Sequence, residues 1–272
     1  MRMKQDGTEM VFNKISPQKV LIFDIMGPMA HFRKYYTNSS SLSYLVPPRT
    51  VIIGLIAGIL GFPSEKHTES KNDVYYEKLN YDNCFVAVSN KTKTRKIMQT
   101  VNYLKITRIN HVNGSGGGTQ IPLEILLSEG SQEVVYRVYF SHRNESIYNA
   151  LKNRLKDHMF VYPPYLGLTE FLASIDYIGE GSIEKNLNEK LEISSVCKIK
   201  EIELDFSDRK LQYVTEKMPT DFLNDRTPLE PAEYVSEING GCIKIKRAIN
   251  SFCYSVRYLD SDVLKTDNII FM

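Results

Sequence analysis

A series of apolar segments separated by turn signals is what most constrains this chain. Val20–Ile25 (VLIFDI) is short and mostly apolar and stops at Gly27-Pro28, so it reads as a buried strand. Pro47-Pro48 opens the next apolar stretch, Val51 to Phe62. Proline suits a first helical turn, where its missing N–H has no partner to lose. Cys84–Val88 (CFVAV) and Glu133–Phe140 (EVVYRVYF) are rich in strand formers. Ile147, Leu151 and Leu155 recur at the spacing of one helix face, with Asn144 or Ser146 available as cap. Ser174–Ile178 then reads as a strand that ends at Gly179. Strand–helix–strand–strand–helix–strand is the split βαβ order, so the expected class is α+β: a ferredoxin-like, RRM-like domain.

Two features modify that plan. Gly54, Gly58 and Gly61 share one face of the first helix and cost it propensity, so close packing of that face on the sheet is expected. The connection between the middle strands carries an insertion of roughly 40 residues, about 89–132, longer than an ordinary loop. It contains a basic turn (NKTKTRK), a return segment Val101–Ile109 and a glycine-rich tip, Asn113–Gly118, expected to be a mobile finger at the end of a basic hairpin. After Ile178, a helix–loop stretch Glu180–Ser194 is expected to lead into strands at Lys198–Leu204, Gln212–Val214, Cys242–Ile245 and Ser251–Tyr258. The division is therefore residues 15–180 for the ferredoxin-like domain with its insertion, and 190–272 for a smaller β-rich lobe.

Composition narrows the function classes. The longest apolar run has twelve residues and includes three glycines, too short for a membrane helix. The N-terminus (MRMKQDGTEM) lacks the apolar centre of a secretory signal, so a cytoplasmic protein is expected. Cys84, Cys197, Cys242 and Cys253 form no CxxC pair and have no histidine at finger spacing, which points to buried free thiols and to no metal. No HExxH or GxSxG occurs, and the glycine-rich tip lacks the Gly-Lys-Ser/Thr ending of a P-loop; no cofactor is implied.

The net charge of +2 conceals a segregation. Residues 25–64 and 83–123 contain no Asp or Glu, but hold Arg33, Lys34, Arg49, Lys91, Lys93, Arg95, Lys96, Lys105 and Arg108. The rest of the chain carries net −7. Buried strands exclude acids for reasons of solvation alone, which covers Val51–Phe62 and Cys84–Val88. It does not cover the polar loop 31–45 or the run 89–111. Phe32, Tyr35, Tyr36, Tyr44 and Tyr103 are interleaved with these cations. Cations for phosphates and rings for unpaired bases are what single-stranded RNA readers combine.

Four ordered blocks carry a resemblance: GPMAHFR, SYLVPPRTVIIGLIAGILG, TQIPLEILL before EVVYRVYF, and PPYLGLTEFLASI. Together they resemble the Cas five family, RAMP-superfamily subunits of type I CRISPR Cascade complexes in antiviral defence, and are most similar to the type I-B branch. The resemblance covers about Val20 to Ile178; beyond Asn186 the chain matches only in being strand-rich. It implies a ferredoxin-like domain with a protruding thumb, and a subunit that holds the 5′ handle of crRNA. The partners implied are the Cascade backbone and large subunits, with target DNA engaged indirectly and no membrane. The loop before the first helix (Tyr44, Arg49) and the thumb, Lys91 to Gln120, would face RNA.

A related branch, type I-C, cleaves precursor crRNA without metal, using a tyrosine, lysine and histidine set. Tyr44 stands where that branch carries its tyrosine. The adjacent Lys-His pair is missing, because His111 is flanked by Asn110 and Val112 and Lys105 lies six residues away. A non-catalytic RNA holder is therefore expected, with endoribonuclease as the alternative and a docking module for an acidic protein as a third class. His31 is placed to meet phosphate or to serve structure, His142 to cap its strand, and His67 and His158 read as solvated residues.

Overall fold

The computed structural model describes residues 17–70, 73–223, 225–249 and 251–272. Strand β1 (Lys19–Gly27) contains the first apolar run and is buried along most of its length. Short β2 (Phe32–Arg33) and β3 (Ser43–Tyr44) pair antiparallel across the aromatic loop. Helix α1 (Arg49–Leu60) starts directly after Pro47-Pro48, as the prolines dictate. It ends at Gly61, whose φ of +75° is open to glycine and closed to most other residues.

The glycine face of α1 is not packed on the sheet. Ile52, Ile53, Ile56 and Ile59 face the core, while an added methyl at Gly54 would meet nothing within 4 Å. The isoleucines bury far more apolar area than glycines can, so they take the sheet side. The glycines are left towards a groove. At Gly58 and Ile59 the carbonyls accept hydrogen bonds from the Tyr162 and Val161 N–H groups, so the close approach is to an extended segment.

A single turn, α2 (Tyr75–Lys78), precedes β4 (Cys84–Asn90). The insertion is an antiparallel hairpin of β5 (Thr94–Leu104) and β6 (Gly118–Ser128), followed by β7 (Val134–His142). Helix α3 (Glu145–Lys156) begins where expected: the Asn144 side chain accepts from the Ser146 and Ile147 N–H groups at 2.9 and 3.4 Å. Strand β8 (Ser174–Asn186) follows.

Gly179 does not end that strand. Gly179 lies opposite Ile22 and Tyr177 opposite Phe23, so the register shifts by one residue and pairing resumes as far as Asn186. At Gly181 a methyl would sit 2.7 Å from Val256, which explains a second glycine in a packed strand. The expected helix–loop stretch 180–194 is thus strand, turn and then β9 (Leu191–Ile193).

The tail continues through β10 (Cys197–Lys198), β11 (Ile202–Leu204), β12 (Tyr213–Met218), β13 (Ala232–Glu237) and β14 (Ile243–Ala248). These build two three-stranded sheets, β10-β13-β12 and β11-β14-β9. The last two strands, β15 (Cys253–Asp260) and β16 (Val263–Ile269), return to the large sheet, whose order is β16-β15-β8-β1-β7-β4. The boundary expected near residue 190 therefore does not bound this sheet. Every pairing within it is antiparallel.

Both faces of the sheet are covered. Leu21, Phe23 and Ile25 pack under α1 and α3, while Val20 and Ile22 join Tyr139, Val256 and Tyr258 on the other side. This explains why β1 reads as a continuous apolar run rather than an alternating one. Its single acid, Asp24, lies directly opposite Arg137 and takes a bidentate pair at 2.7 and 2.8 Å. The four cysteines form no disulfide, and three of them are buried. Among the described residues no helix is long and apolar enough to cross a membrane.

Candidate nucleic-acid interface

The hairpin joins the two acid-free stretches. Ala30 and Leu126 exchange backbone hydrogen bonds at 3.1 and 2.8 Å, the Ser41 N–H donates to Pro122 O, and the Glu124 N–H donates to Ser41 O. The loop 30–41 is thereby strapped along β6, and Lys34 of the loop and Lys96 of the hairpin converge on one carboxylate, Glu216. At the far end a 3₁₀ turn, Ile109–Asn113, and positive-φ Gly114 and Gly117 close the tip. A methyl at Gly116 would stand 2.2 Å from Lys105 O, so the glycines expected as a flexible tip fold into a compact turn.

The expected contact residues separate into two groups. Arg49 is completely buried: it donates to Leu79 O, pairs with Asp221 at 3.2 Å and stacks 4.1 Å from the Tyr81 ring centre. Tyr44 is buried too, its hydroxyl donating to Lys217 O at 2.8 Å, and burial holds its pKa well above the usual phenol value. Neither is at the surface, which corrects the expectation that the loop before α1 presents them; Arg49 instead ties α1, and Tyr44 ties β3, to the tail. Lys34 and Lys96 are drawn inward by carboxylates. Lys34 pairs with Glu216 at 2.7 Å, and Lys96 with Glu124 at 3.2 Å and Ser43 O at 2.8 Å. Glu124 in turn accepts from the Ser43 N–H and Glu216 from the Leu45 N–H, so two glutamates staple loop, hairpin and β12 together. Lys93 pairs with Glu129 at 3.0 Å on the surface.

Arg33, Lys91, Arg95, Lys105 and Arg108 form the second group: exposed, with no ion pair among the described residues. Gln120 is exposed opposite Asn102, and His111 sits half-buried in the tip turn with Nδ1 3.1 Å from Thr107 Oγ1. Tyr103 stands on the same hairpin face as Arg95, eight register steps further out.

A groove of about 440 Å³ opens where loop and hairpin meet, walled by Phe32, Val51, Tyr103, Ile121 and Leu123, with Arg33, Asn38 and Ser41 at its polar side. His31 sits behind it. Its Nδ1–H donates to Glu124 O at 2.7 Å, which leaves Nε2 to accept from Ser41 Oγ at 2.9 Å. Burial lowers its pKa, so the ring is neutral and structural; it is not a phosphate ligand. Gly167, from the PPYLGLTEF block, seals the floor with φ of +92°, and a methyl there would lie 1.7 Å from His31 O. A second groove of about 600 Å³ follows the glycine face of α1 between Tyr75, Tyr162 and Tyr165, and shares Val51 and Gly167 with the first.

Sequence reasoning placed the hairpin cations but missed the staple glutamates and the groove. Glu124 is the residue that ends the second acid-free window, which was a usable signal. Glu216 is far away in sequence and carried none.

Among solved structures, a CRISPR protein from Archaeoglobus fulgidus is similar in fold at 12% identity, with 93% of this chain and 98% of that chain covered and a TM-score of 0.54. A chain described as a CRISPR RNA-guided surveillance complex aligns at 10% identity over 82% of this chain and 91% of its own, with a TM-score of 0.47. No curated protein matches in sequence. The family model described as CRISPR-associated protein (Cas_Cas5) matches residues 20–230, most of the chain. The protein belongs to the Cas5 family of CRISPR-associated proteins, the family its four sequence blocks resemble.

Proposed function

We propose that this chain is a non-catalytic, RNA-binding subunit of a type I CRISPR interference complex. It holds the 5′ handle of crRNA along the β5–β6 hairpin and abuts the backbone and large subunits, meeting target DNA only through them. One observation carries this reading: five exposed cations without carboxylate partners among the described residues lie along one hairpin and the loop strapped to it, with Tyr103 among them. Phosphates and unpaired bases demand that combination. Family membership supports it, as does the order β8-β1-β7-β4 with helical crossovers, the split βαβ arrangement on which the hairpin acts as thumb.

The non-catalytic part rests on separation. Tyr44 lies at the hairpin base with its hydroxyl committed to Lys217 O, while His111 is in the tip turn. Roughly 20 Å of strand lies between the Met98–Glu124 pair near Tyr44 and the Leu104–Gly118 pair at the tip. A base and a phosphorane-stabilising cation must meet one phosphodiester, which these residues do not do.

Fluorescence anisotropy with handle RNA across a salt series tests the binding. Log affinity should fall against log salt with a slope of about −0.7 per neutralised phosphate, and less steeply after Arg95→Glu and Arg108→Glu. Salt-independent binding, or equal affinity for random RNA, overturns the proposal. Incubation with repeat RNA in EDTA should leave the RNA intact; specific cuts lost in His111→Ala would make the chain an endoribonuclease.

A further inference from the structure

Two Asn-Gly pairs occur in the chain, Asn113-Gly114 and Asn239-Gly240. The side-chain carbonyl carbon of an asparagine lies within ring-closing reach of the next residue's backbone nitrogen, and a glycine there has no Cβ to obstruct the approach. What separates the two pairs is the state of that nitrogen. The Gly114 N–H donates to His111 O at 3.0 Å inside the 3₁₀ turn. The Gly240 N–H donates no hydrogen bond among the described residues, and Asn239 is exposed in the turn between β13 and β14.

This turn has two attachments. On one side the Asn239 Nδ2 donates to Glu237 Oε1 at 2.7 Å. The same carboxylate, 3% exposed, accepts from the Asn239, Gly241 and Gln212 N–H groups at 2.8, 2.8 and 3.2 Å. On the other side the turn supports the base of the β5–β6 hairpin. The Thr94 N–H donates to Ile238 O at 3.4 Å, and a methyl at Gly240, with φ of +79°, would stand 2.9 Å from Thr92 N. Packing therefore demands glycine at 240, and with it an unhindered nitrogen beside Asn239. We propose that Asn239 is a site of self-modification, converted to aspartate and isoaspartate through attack by the Gly240 nitrogen, and that the product loosens the footing of the hairpin.

Water and hydroxide are the only co-reactants. Hydroxide removes the Gly240 amide proton, and the nitrogen forms a bond to Asn239 Cγ. The Cγ–Nδ2 bond breaks as Nδ2 takes a proton from water, which releases ammonia and leaves a succinimide. Water then opens the ring at either carbonyl. One opening gives aspartate; the other routes the main chain through the side chain and gives isoaspartate. No group is oxidised or reduced. Either product turns the donor that faces Glu237 into an anion, so two carboxylates meet where a carboxylate and an amide had paired. Isoaspartate also adds a methylene to the main chain of a turn packed against Lys91 and Thr92. Both changes push the turn away from the hairpin base.

The full chain, incubated in mildly alkaline buffer, is followed by tryptic peptide mapping and isoaspartyl methyltransferase labelling. Asn239 should convert ahead of Asn113, and Asn239→Gln should remove the label from that peptide alone. Hydrogen exchange at the amides of residues 91–94 should rise roughly 10- to 100-fold in the converted fraction, as for the loss of one hydrogen bond to a charged group. Asn239→Asp should show the same rise. An Asn239 that stays intact after Asn113 has converted overturns the site. Conversion with unchanged exchange at 91–94 overturns its link to the hairpin. Both measurements are made on the wild-type chain, so the test stands even if Asn239→Asp does not fold.

Discussion

At the scale of single residues, the structure sorts cations by what lies opposite them. Arg49 and Arg95 were alike as sequence, each a cation in an acid-free window; one is a core element and the other a surface charge. Removing Arg49 strands Asp221, whose carboxyl is already pushed up by burial. Arg49→Met is expected to cost about 3–5 kcal/mol in urea denaturation. Arg95→Ala should change stability by no more than about 0.5 kcal/mol while weakening handle binding. The opposite ranking would refute the assignment. Two histidines give a pH signature. Burial lowers the pKa of both His31 and His142 from 6.5, so the folded chain resists protonation more than the unfolded one. Their contribution is complete above pH 6.5 and is lost as the pH falls through that value towards their folded pKa values. The melting temperature should decline below about pH 6.5, and part of the decline should disappear in His142→Gln.

At the scale of elements, α1 shows what sequence can and cannot say about a glycine. The helix and its proline start follow from local chemistry and were legible; its stop was not, since Gly61 read as part of the helix face and is instead the cap. The side on which Gly54 falls was not, because that depends on which face the isoleucines claim. Gly54→Ala meets open space and should raise stability by up to about 1 kcal/mol. Gly167→Ala, at positive φ against His31 O, should destabilise clearly and disturb the groove. Thermal melts of the two variants should shift in opposite directions. The hairpin was legible as an insertion with basic character, and Asn144 as one of two candidate caps, the other being Ser146. The compact tip turn was not, since the Gly116–Lys105 approach is a three-dimensional fact. Replacing residues 105–117 by an Asn-Gly turn should leave the far-UV circular dichroism and cooperative melting intact and reduce handle affinity at low salt. Unchanged affinity would move the interface off the hairpin tip.

For the whole molecule, the order of the long strands and helices from Val20 to Ile178 could be read from periodicity, whereas short β2, β3 and α2 carry no pattern of their own. The tail was legible only in part: the stretches read as strands overlap β10, β11, β12, β14 and β15, but β13 and β16 were missed. Strand β13 (AEYVSE) is polar in alternation, and β16 (VLKTDNI) is largely exposed, so neither announces itself. Nor does local pattern say that β15 skips back across the two small sheets to lie against β8. A chain ending before residue 251 therefore lacks two strands of the large sheet and should fail to melt cooperatively, rather than behave as an intact domain missing a separate lobe. A cooperative transition in that truncation would show the C-terminal strands to be dispensable.

That return of β15 has a consequence in time. Arg137 reaches Tyr258 and Asp260 more than a hundred residues ahead of it, and the Met272 N–H bonds Val86 O at the opposite edge. While the chain is being synthesised, β8 stands as an open edge and the Asp24–Arg137 pair lies uncovered until the last strands emerge. Contacts of such long sequence separation form slowly, and an unpaired strand edge invites pairing with another chain. Newly made molecules should thus pass through an interval in which they depend on chaperones or dilution, and expression yield should respond to temperature and synthesis rate more than the finished fold's stability would suggest.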